Sequence, residues 1–171
     1  MPDAAPVLAA LSECVQCKLH RDELALVAVA EVAKALPQAG WVGVYWLHGD
    51  MLELGPYTGP PTEHSRIPVG TGVCGTAVAE DRDQLVPDVR VRTNYLACSA
   101  RTRSEVVVLI RSNGKVIGQL DLDSDQIDAF SKDDHGFLRM VAGAMGNLLP
   151  MLPNGVSADP VTGDEPKLEN A

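Results

Sequence analysis

The sequence predicts an α+β domain, in which a central antiparallel sheet is flanked by helices and a ligand pocket lies under a long loop. Three observations lead to this class. Helical patterns stand near both ends of the chain, and two strand–turn–strand patterns lie between them. An irregular polar segment at residues 81–103 leads from a short helix to the second hairpin, with at most short regular pieces expected in it. Irregular segments of that length inside a compact domain are usually functional or mobile.

The N-terminal half predicts a helix, a hairpin and a second, short helix. Their expected positions are residues 21–40 for the helix, 41–47 and 51–57 for the hairpin strands, 65–68 for a short strand, and 70–81 for a Gly-rich loop that enters the short helix. Ala and Leu dominate the first helix, whereas aromatic and β-branched residues dominate the hairpin strands. Gly55 and Pro56 are expected to break the second strand of the hairpin.

The C-terminal half predicts a second hairpin and a last helix. The segment SEVVVLI reads as a buried strand, and Asn113-Gly114 is the strongest short signal for a hairpin turn. The return strand is VIGQLDLDS, and the helix covers residues 131–149 with Ser131 as its N-cap. We therefore expect one domain over residues 1–150, including an N-terminal helical segment, and a flexible tail rich in Pro, Gly and acids over residues 151–171.

Composition excludes several function classes. The 171 residues suit a single domain with a substantial core, and the net charge of −9 argues against a nucleic-acid partner or an anionic membrane surface. No apolar run approaches the ~18 residues that span a bilayer. Four cysteines at irregular spacing do not form a disulfide framework. We expect a cytoplasmic protein that needs no cofactor or metal.

The acids of the segment LDLDS are the first candidates for chemistry. Asp121 and Asp123 alternate with leucines, so both carboxylates lie on one face of a strand. One interpretation is a solvated outer face. The other is a cavity wall, where repulsion between the carboxylates raises the pKa of at least one and lets it donate a proton near neutrality. Glu105, at the start of the neighbouring strand, then joins them, and the three acids attract an ammonium group.

Two cysteines are candidates for a nucleophile, which must be a thiolate. Cys74 lies at the start of the short helix, where unpaired N–H groups favour an anion. Cys98 lies in NYLACSARTRS, where Arg101 and Arg103 are close in sequence. Both can instead be small buried residues, and that alternative is favoured for Cys74 but not for Cys98.

A further CxxC pair is formed by Cys14 and Cys17, with His20 nearby in the sequence. Three potential ligands are one short of a closed zinc site, and the βαβ context of a thioredoxin-like motif is missing. The pair is interpreted as incidental cysteines on a helix, with a recycling dithiol as the alternative.

Two aromatic side chains are expected on one face of the first strand, because Trp41 and Tyr45 are four residues apart with Gly43 between them. They either pack in the core or form an aromatic wall for a small apolar group that contains sulfur.

In combination these segments resemble the free methionine-(R)-sulfoxide reductases, single-domain proteins of the GAF fold. The resemblance covers residues 40–124 and rests on motifs in the same order, namely WVGVYW, LELGPYTG, IPVGTGVCGTAV, NYLACSARTRSEVVV and GQLDLDS. It implies a GAF-like antiparallel sheet with helices on one side and a ligand pocket on the other. It also implies reduction of free methionine-R-sulfoxide by a cysteine thiolate that thioredoxin or a small thiol recycles, and a possible homodimer.

The resemblance also assigns residue roles. It makes Cys98 the catalytic cysteine and Cys74 a second family cysteine. The catalytic and substrate-binding acids are then Glu105, Asp121 and Asp123, and the aromatic wall is Trp41 with Tyr45. The sequence departs from the family in one loop, which reads PPTEHSRI and lacks the usual resolving cysteine. That departure leaves a non-catalytic small-molecule-binding or thiol redox-sensing GAF module as the alternative function.

Overall fold

The computed structural model describes residues 1–91 and 101–153. Within them lie four α-helices, α1 (Ala5–Gln16), α2 (Arg21–Ala35), α3 (Gly72–Ala79) and α4 (Lys132–Leu148), and two short 3-10 helices, Val89–Val91 and Leu149–Met151. The six strands are β1 (Trp41–His48), β2 (Met51–Thr58), β3 (Arg66–Pro68), β4 (Gln84–Val86), β5 (Ser104–Ser112) and β6 (Lys115–Ser124). None of these helices has both the length and the apolar character that crossing a bilayer requires. The predicted tail falls mostly on residues 154–171, outside the described part of the chain.

The six strands form one antiparallel sheet in the order β3-β2-β1-β6-β5-β4. Two tight hairpins, β1–β2 and β5–β6, are joined through the β1–β6 pair at the centre of the sheet. The predicted α+β class with a central antiparallel sheet is therefore confirmed. Strand β6 is central, and its residues 117–124 are buried on both faces of the sheet.

Side-chain alternation divides the sheet into two faces. On the first, which we call the helix face, Val42, Val44, Leu120 and Leu122 pack in one core with α1, α2 and α4. On the second, which we call the site face, a separate apolar cluster joins the strands to α3. Because the period of a strand is two residues, every acid of LDLDS points to the site face.

One local prediction was wrong. Strand β2 continues through Gly55 and Pro56, because β1 pairs Gly43 with Tyr57 and then Tyr45 with Leu54. That jump is a β-bulge, in which β2 has one extra residue, so that Gly55 and Pro56 stand opposite Val44 and Pro56 needs no ladder N–H group. The irregular segment contains one short strand within its described part, since β4 pairs with β5 at the edge of the sheet, and this agrees with the expectation of at most short regular pieces. Three residues are too few for a visible alternation pattern.

The last helix begins as predicted. The Ser131 hydroxyl oxygen accepts the Asp134 amide N–H at 3.1 Å, and an Asp134 carboxylate oxygen accepts the Ser131 amide N–H at 2.8 Å. This reciprocal pair is a capping box, which satisfies amide groups that the first turn leaves unpaired. It fixes the start of α4, and the helix then packs along β5 on the helix face.

We expect Gly146→Ala to lower the free energy of unfolding by about 2 kcal/mol. A Cβ at Gly146 would overlap the carbonyl oxygen of Arg111 in β5, so α4 would have to move off the sheet. Gly143→Ala in the same helix is the matched control, because a Cβ there meets nothing within 4 Å. That variant should be more stable than the parent by about 0.5 kcal/mol through helix propensity. Urea unfolding at constant m-value measures both, and equal stabilisation would contradict the packing argument.

Candidate active site

The three predicted acids lie side by side on the site face. Asp123 in β6 is paired with Glu105 in β5 and with Trp41 in β1, while Asp121 is paired with Gly43. The exposed fractions are 0% for Asp121, 4% for Asp123 and 2% for Glu105. The interpretation of a solvated outer face is therefore wrong, and these carboxyls belong to a buried wall. Carboxyls are almost never buried without a partner or a function.

Helix α3 brings a thiol to this wall. Cys74 is 2% exposed, and its Sγ donates to Glu105 Oε1 at 3.9 Å. The Sγ atom and one carboxylate oxygen each of Glu105 and Asp121 all lie within 4.8 Å of one another. Gly75 allows α3 to pack closely against the end of β3, because a Cβ at this position would overlap the carbonyl oxygen of Pro68. Ligand atoms this close can surround one small cation, including an ammonium group.

Burial controls the charge of the acids. It raises the pKa of Asp121 to about 7, and the neighbouring Cys74 and Glu105 offset part of that rise. Burial, followed by the charge of Asp121, holds the pKa of Asp123 well above its usual range. Within the described residues, neither carboxylate oxygen of Asp121 has a hydrogen-bond partner. Near neutral pH the cluster therefore holds at least one proton that it can transfer.

Buried aromatic rings, which we call the aromatic wall, stand beside the acids. Tyr45 is 0% exposed and packs in the apolar cluster of the site face, as the core-packing alternative expects for at least one ring. The Trp41 ring lies over Gly43, where any Cβ would overlap it. Its centroid is 6.2 Å from that of Tyr45 and 5.6 Å from that of Tyr57, with which it stacks at an interplanar angle of 20°. The Tyr45 hydroxyl donates to the carbonyl oxygen of His64 at 2.8 Å. This bond ties the loop that lacks the resolving cysteine to the wall.

A cavity of about 320 Å³ opens above these residues. Its lining takes one residue from the aromatic rings and one from the acid wall, together with the loop after β2 and the chain before β5. The members are Gly40, Trp41, Pro60, Pro61, Thr62, Arg101, Thr102, Asp123, Ser124 and Asp125. A volume of that order suits a small ligand such as a single amino acid. Asp123 and Trp41 belong to both the cavity and the walls below it, so they connect the opening to the buried acids.

The structure brings together six of the seven predicted site residues: Cys74, Glu105, Asp121, Asp123, Trp41 and Tyr45. The seventh, Cys98, lies outside the described residues. Two neighbours were not predicted. Tyr57 stacks on Trp41 only because the bulge in β2 puts it opposite Gly43. Gln119 shares the site face with both aspartates, and its spacing of two residues from Asp121 was a signal available in the sequence.

The CxxC pair lies away from this site. Cys14 packs in the core of the helix face, its Sγ donates to the carbonyl oxygen of Ala10 at 3.3 Å, and burial raises its pKa. Cys17 is exposed at the end of α1, and His20 precedes α2 as its N-cap residue. The sheet therefore separates Cys14 from the acids, which agrees with the interpretation of incidental helical cysteines.

Comparison with known proteins identifies the architecture. The family model of the GAF domain matches residues 18–149. A free methionine-R-sulfoxide reductase of Escherichia coli (strain K12) is 40% identical over 114 residues, which cover 67% of this chain and 68% of the relative. The chain belongs to the free methionine-R-sulfoxide reductase family of GAF domains. The members of this family are oxidoreductases, and residues 18–149, which the GAF model matches, contain the whole acid wall.

Two solved reductases share the fold. The free methionine-R-sulfoxide reductase from Neisseria meningitidis, solved in complex with its substrate, superposes with a TM-score of 0.76 at 33% identity and covers 84% of this chain and 86% of its own. The type II reductase from Thermoplasma acidophilum superposes with a TM-score of 0.71 at 36% identity, covering 77% and 94%. The resemblance inferred from the motifs is thus confirmed at the level of family and fold.

Proposed function

We propose that this chain reduces free L-methionine-(R)-S-oxide to methionine, with the Cys98 thiolate as nucleophile. The observation that carries the proposal is the buried wall of Glu105, Asp121 and Asp123 next to an aromatic wall. An amino acid sulfoxide has an ammonium group for the first and an S-methyl group for the second. The names of the similar reductases, one of them solved with its substrate, support the same substrate.

The first chemical step transfers oxygen from the substrate to the enzyme. The Cys98 thiolate attacks the sulfoxide sulfur, and an acid among Glu105, Asp121 and Asp123 donates a proton to the sulfoxide oxygen. The S–O bond of the substrate breaks, and the hydroxyl ends on Cys98 as sulfenic acid. The substrate sulfur gains two electrons and leaves as the thioether of methionine, while Cys98 loses two. The support for Cys98 is its sequence position, since Arg101, three residues later, lines the cavity.

The second step regenerates the thiolate. A second thiol attacks the Cys98 sulfenic acid, releases water and forms a disulfide, which thioredoxin or a small thiol then reduces by exchange. Cys74 is the candidate that geometry favours, because its Sγ already touches the acid wall. Cys14 lies on the opposite face of the sheet, and the loop after β2 offers Glu63 and His64 instead of a cysteine. The cycle needs a reducing compartment, which fits the expected cytoplasmic location.

Substrate analogues test this proposal. The reduced chain without added reductant should release about one equivalent of methionine from free methionine-R-sulfoxide. N-acetyl-methionine-R-sulfoxide has no ammonium group for the acids, so its kcat/KM with dithiothreitol should be at least about 100-fold lower. The S epimer of free methionine sulfoxide is the stereochemical control. Release of no methionine, with methionine binding retained, would instead favour the non-catalytic binding module.

A further inference from the structure

Gln119 is a buried side chain that the mechanism above leaves without a role. It is 0% exposed, and neither its Oε1 nor its Nε2 atom has a hydrogen-bond partner among the residues that the structure describes. Native proteins rarely bury an amide in this way, because water is lost and nothing replaces its hydrogen bonds. We therefore expect this amide to gain a hydrogen-bond partner in another state of the site.

Its surroundings point to one such partner. Gln119 is paired with Tyr45 in β1 and with Leu109 in β5, and the Tyr45 hydroxyl already donates to the His64 carbonyl oxygen. Asp121 is the next residue of β6 on the same face, roughly 7 Å along the strand. A glutamine side chain spans that separation by rotating about its own torsions. Both Asp121 carboxylate oxygens also lack partners among the described residues.

The groups that face Asp121 explain why this contact matters. Glu105 faces it from β5, Cys74 from α3 and Asp123 from its own strand, while β1 presents only Gly43. Two of these groups are acids, and the thiol donates towards Glu105. Cys74 and Glu105 also lower the pKa of Asp121, but neither side chain offers an N–H group. Gln119 is therefore the neutral N–H donor on the same strand face. A hydrogen bond to a carboxylate favours its charged form.

We propose that Gln119 is a positioning residue, whose Nε2–H group donates to the Asp121 carboxylate once it ionises and so leaves the transferable proton on Glu105. This assignment rests on the proposed function and deepens it. Asp121 then serves as the anion that holds the substrate ammonium. Glu105 serves as the acid that protonates the sulfoxide oxygen. The distinction between the two acids comes from a residue that touches neither substrate nor reacting atoms.

The test compares pH profiles of wild type and Gln119→Met, which keeps the side-chain volume but has no N–H donor. Without the donor, the acid limb of kcat/KM for free methionine-R-sulfoxide should move upward by about one pH unit. At pH 7 the value of kcat/KM should fall by about fivefold, and the rate should recover at higher pH. Gln119→Asn, whose amide is too short to reach, should show the same displacement. Leu109→Met, in the same row of the sheet, is the matched control with an unmoved profile.

A second measurement needs no turnover. The pH dependence of urea unfolding reports the ionisation of Asp121 in the folded state. The pH at which the free energy of unfolding stops falling should be higher in Gln119→Met than in wild type. If the wild-type chain releases no methionine, the proposed function fails. The unfolding measurement still tests whether Gln119 affects the ionisation of Asp121. If wild type turns over and both pH profiles of Gln119→Met coincide with those of wild type, the positioning role is overturned.

Discussion

The Asp121→Asn variant is expected to be more stable than wild type at pH 8 by about 2 kcal/mol, and to lose activity by about 100- to 1000-fold. The gain in stability follows from burial, which raises the pKa of Asp121 to about 7. An ionised carboxylate is costly at a site with 0% exposure, and asparagine removes the charge at nearly the same volume. The loss of activity follows because an amide neither holds an ammonium ion nor exchanges a proton.

The same substitution should change how stability depends on pH. Below about pH 4 Asp121 is protonated in both the folded and the unfolded chain, so it contributes no difference. Between about pH 4 and pH 7 the unfolded chain releases the proton while the folded chain keeps it. The folded state therefore binds more protons in that interval, and the free energy of unfolding falls as the pH rises. The fall should be smaller in Asp121→Asn, with Asp123 responsible for what remains.

Urea unfolding from pH 4 to pH 8, together with kcat/KM at each pH, measures both effects. Asp50→Asn is the matched control, because Asp50 is an exposed residue of the β1–β2 turn. It should leave stability and activity within error of wild type. An Asp121→Asn variant that is less stable at pH 8, or that retains wild-type kcat/KM, would show that Asp121 is not a buried functional acid.

The cysteine variants are expected to separate the two halves of the catalytic cycle. Cys98→Ser should release no methionine under any condition, because a hydroxyl of high pKa cannot replace the attacking thiolate. Cys74→Ser should still release one equivalent in a single turnover, since serine retains a donor towards Glu105. With thioredoxin as the reductant its steady-state rate should fall at least about tenfold, because no disulfide forms for exchange. Dithiothreitol, which attacks the sulfenic acid directly, should restore that rate.

The exposed Cys17 provides the control, and Cys17→Ser should match wild type with both reductants. Methionine release and the loss of titratable thiols should be followed in the same samples, because one disulfide consumes two thiols for each methionine formed. A thioredoxin-coupled rate that is unchanged in Cys74→Ser would remove Cys74 as the resolving thiol. Methionine release by Cys98→Ser would remove the proposed nucleophile.

Most of the fold could be predicted because its signals are local. The Asn113-Gly114 turn, the capping residue Ser131 and the aromatic strand at Trp41 each act within a few residues, and the corresponding elements lie where the sequence indicated. Strand β4 and the continuity of β2 through Gly55-Pro56 escaped prediction. Both exist through pairing with a neighbouring strand, which supplies hydrogen bonds that local propensity does not reveal.

The sequence could predict which residues form the candidate site, but not whether they are buried. Alternation put Asp121 and Asp123 on one face, the neighbouring strand supplied Glu105, and the start of the short helix supplied Cys74. Alternation could not decide whether that face met solvent or a cavity, because the answer depends on α3, which lies about 40 residues earlier in the chain. The spacing of Gln119 from Asp121 already placed it on this face, but a glutamine becomes noteworthy only when it is buried without a partner, as here among the described residues.

The sequence by itself determined the α+β class, the reductase family and the identity of the acids, because these depend on residue types and short spacings. The tertiary structure alone decided that the acids are buried, that Asp121 keeps a proton until about pH 7, and that Cys74 rather than Cys14 stands beside them. The physical reason is that burial and charge interaction arise between segments distant in the chain, and only folding brings those segments together.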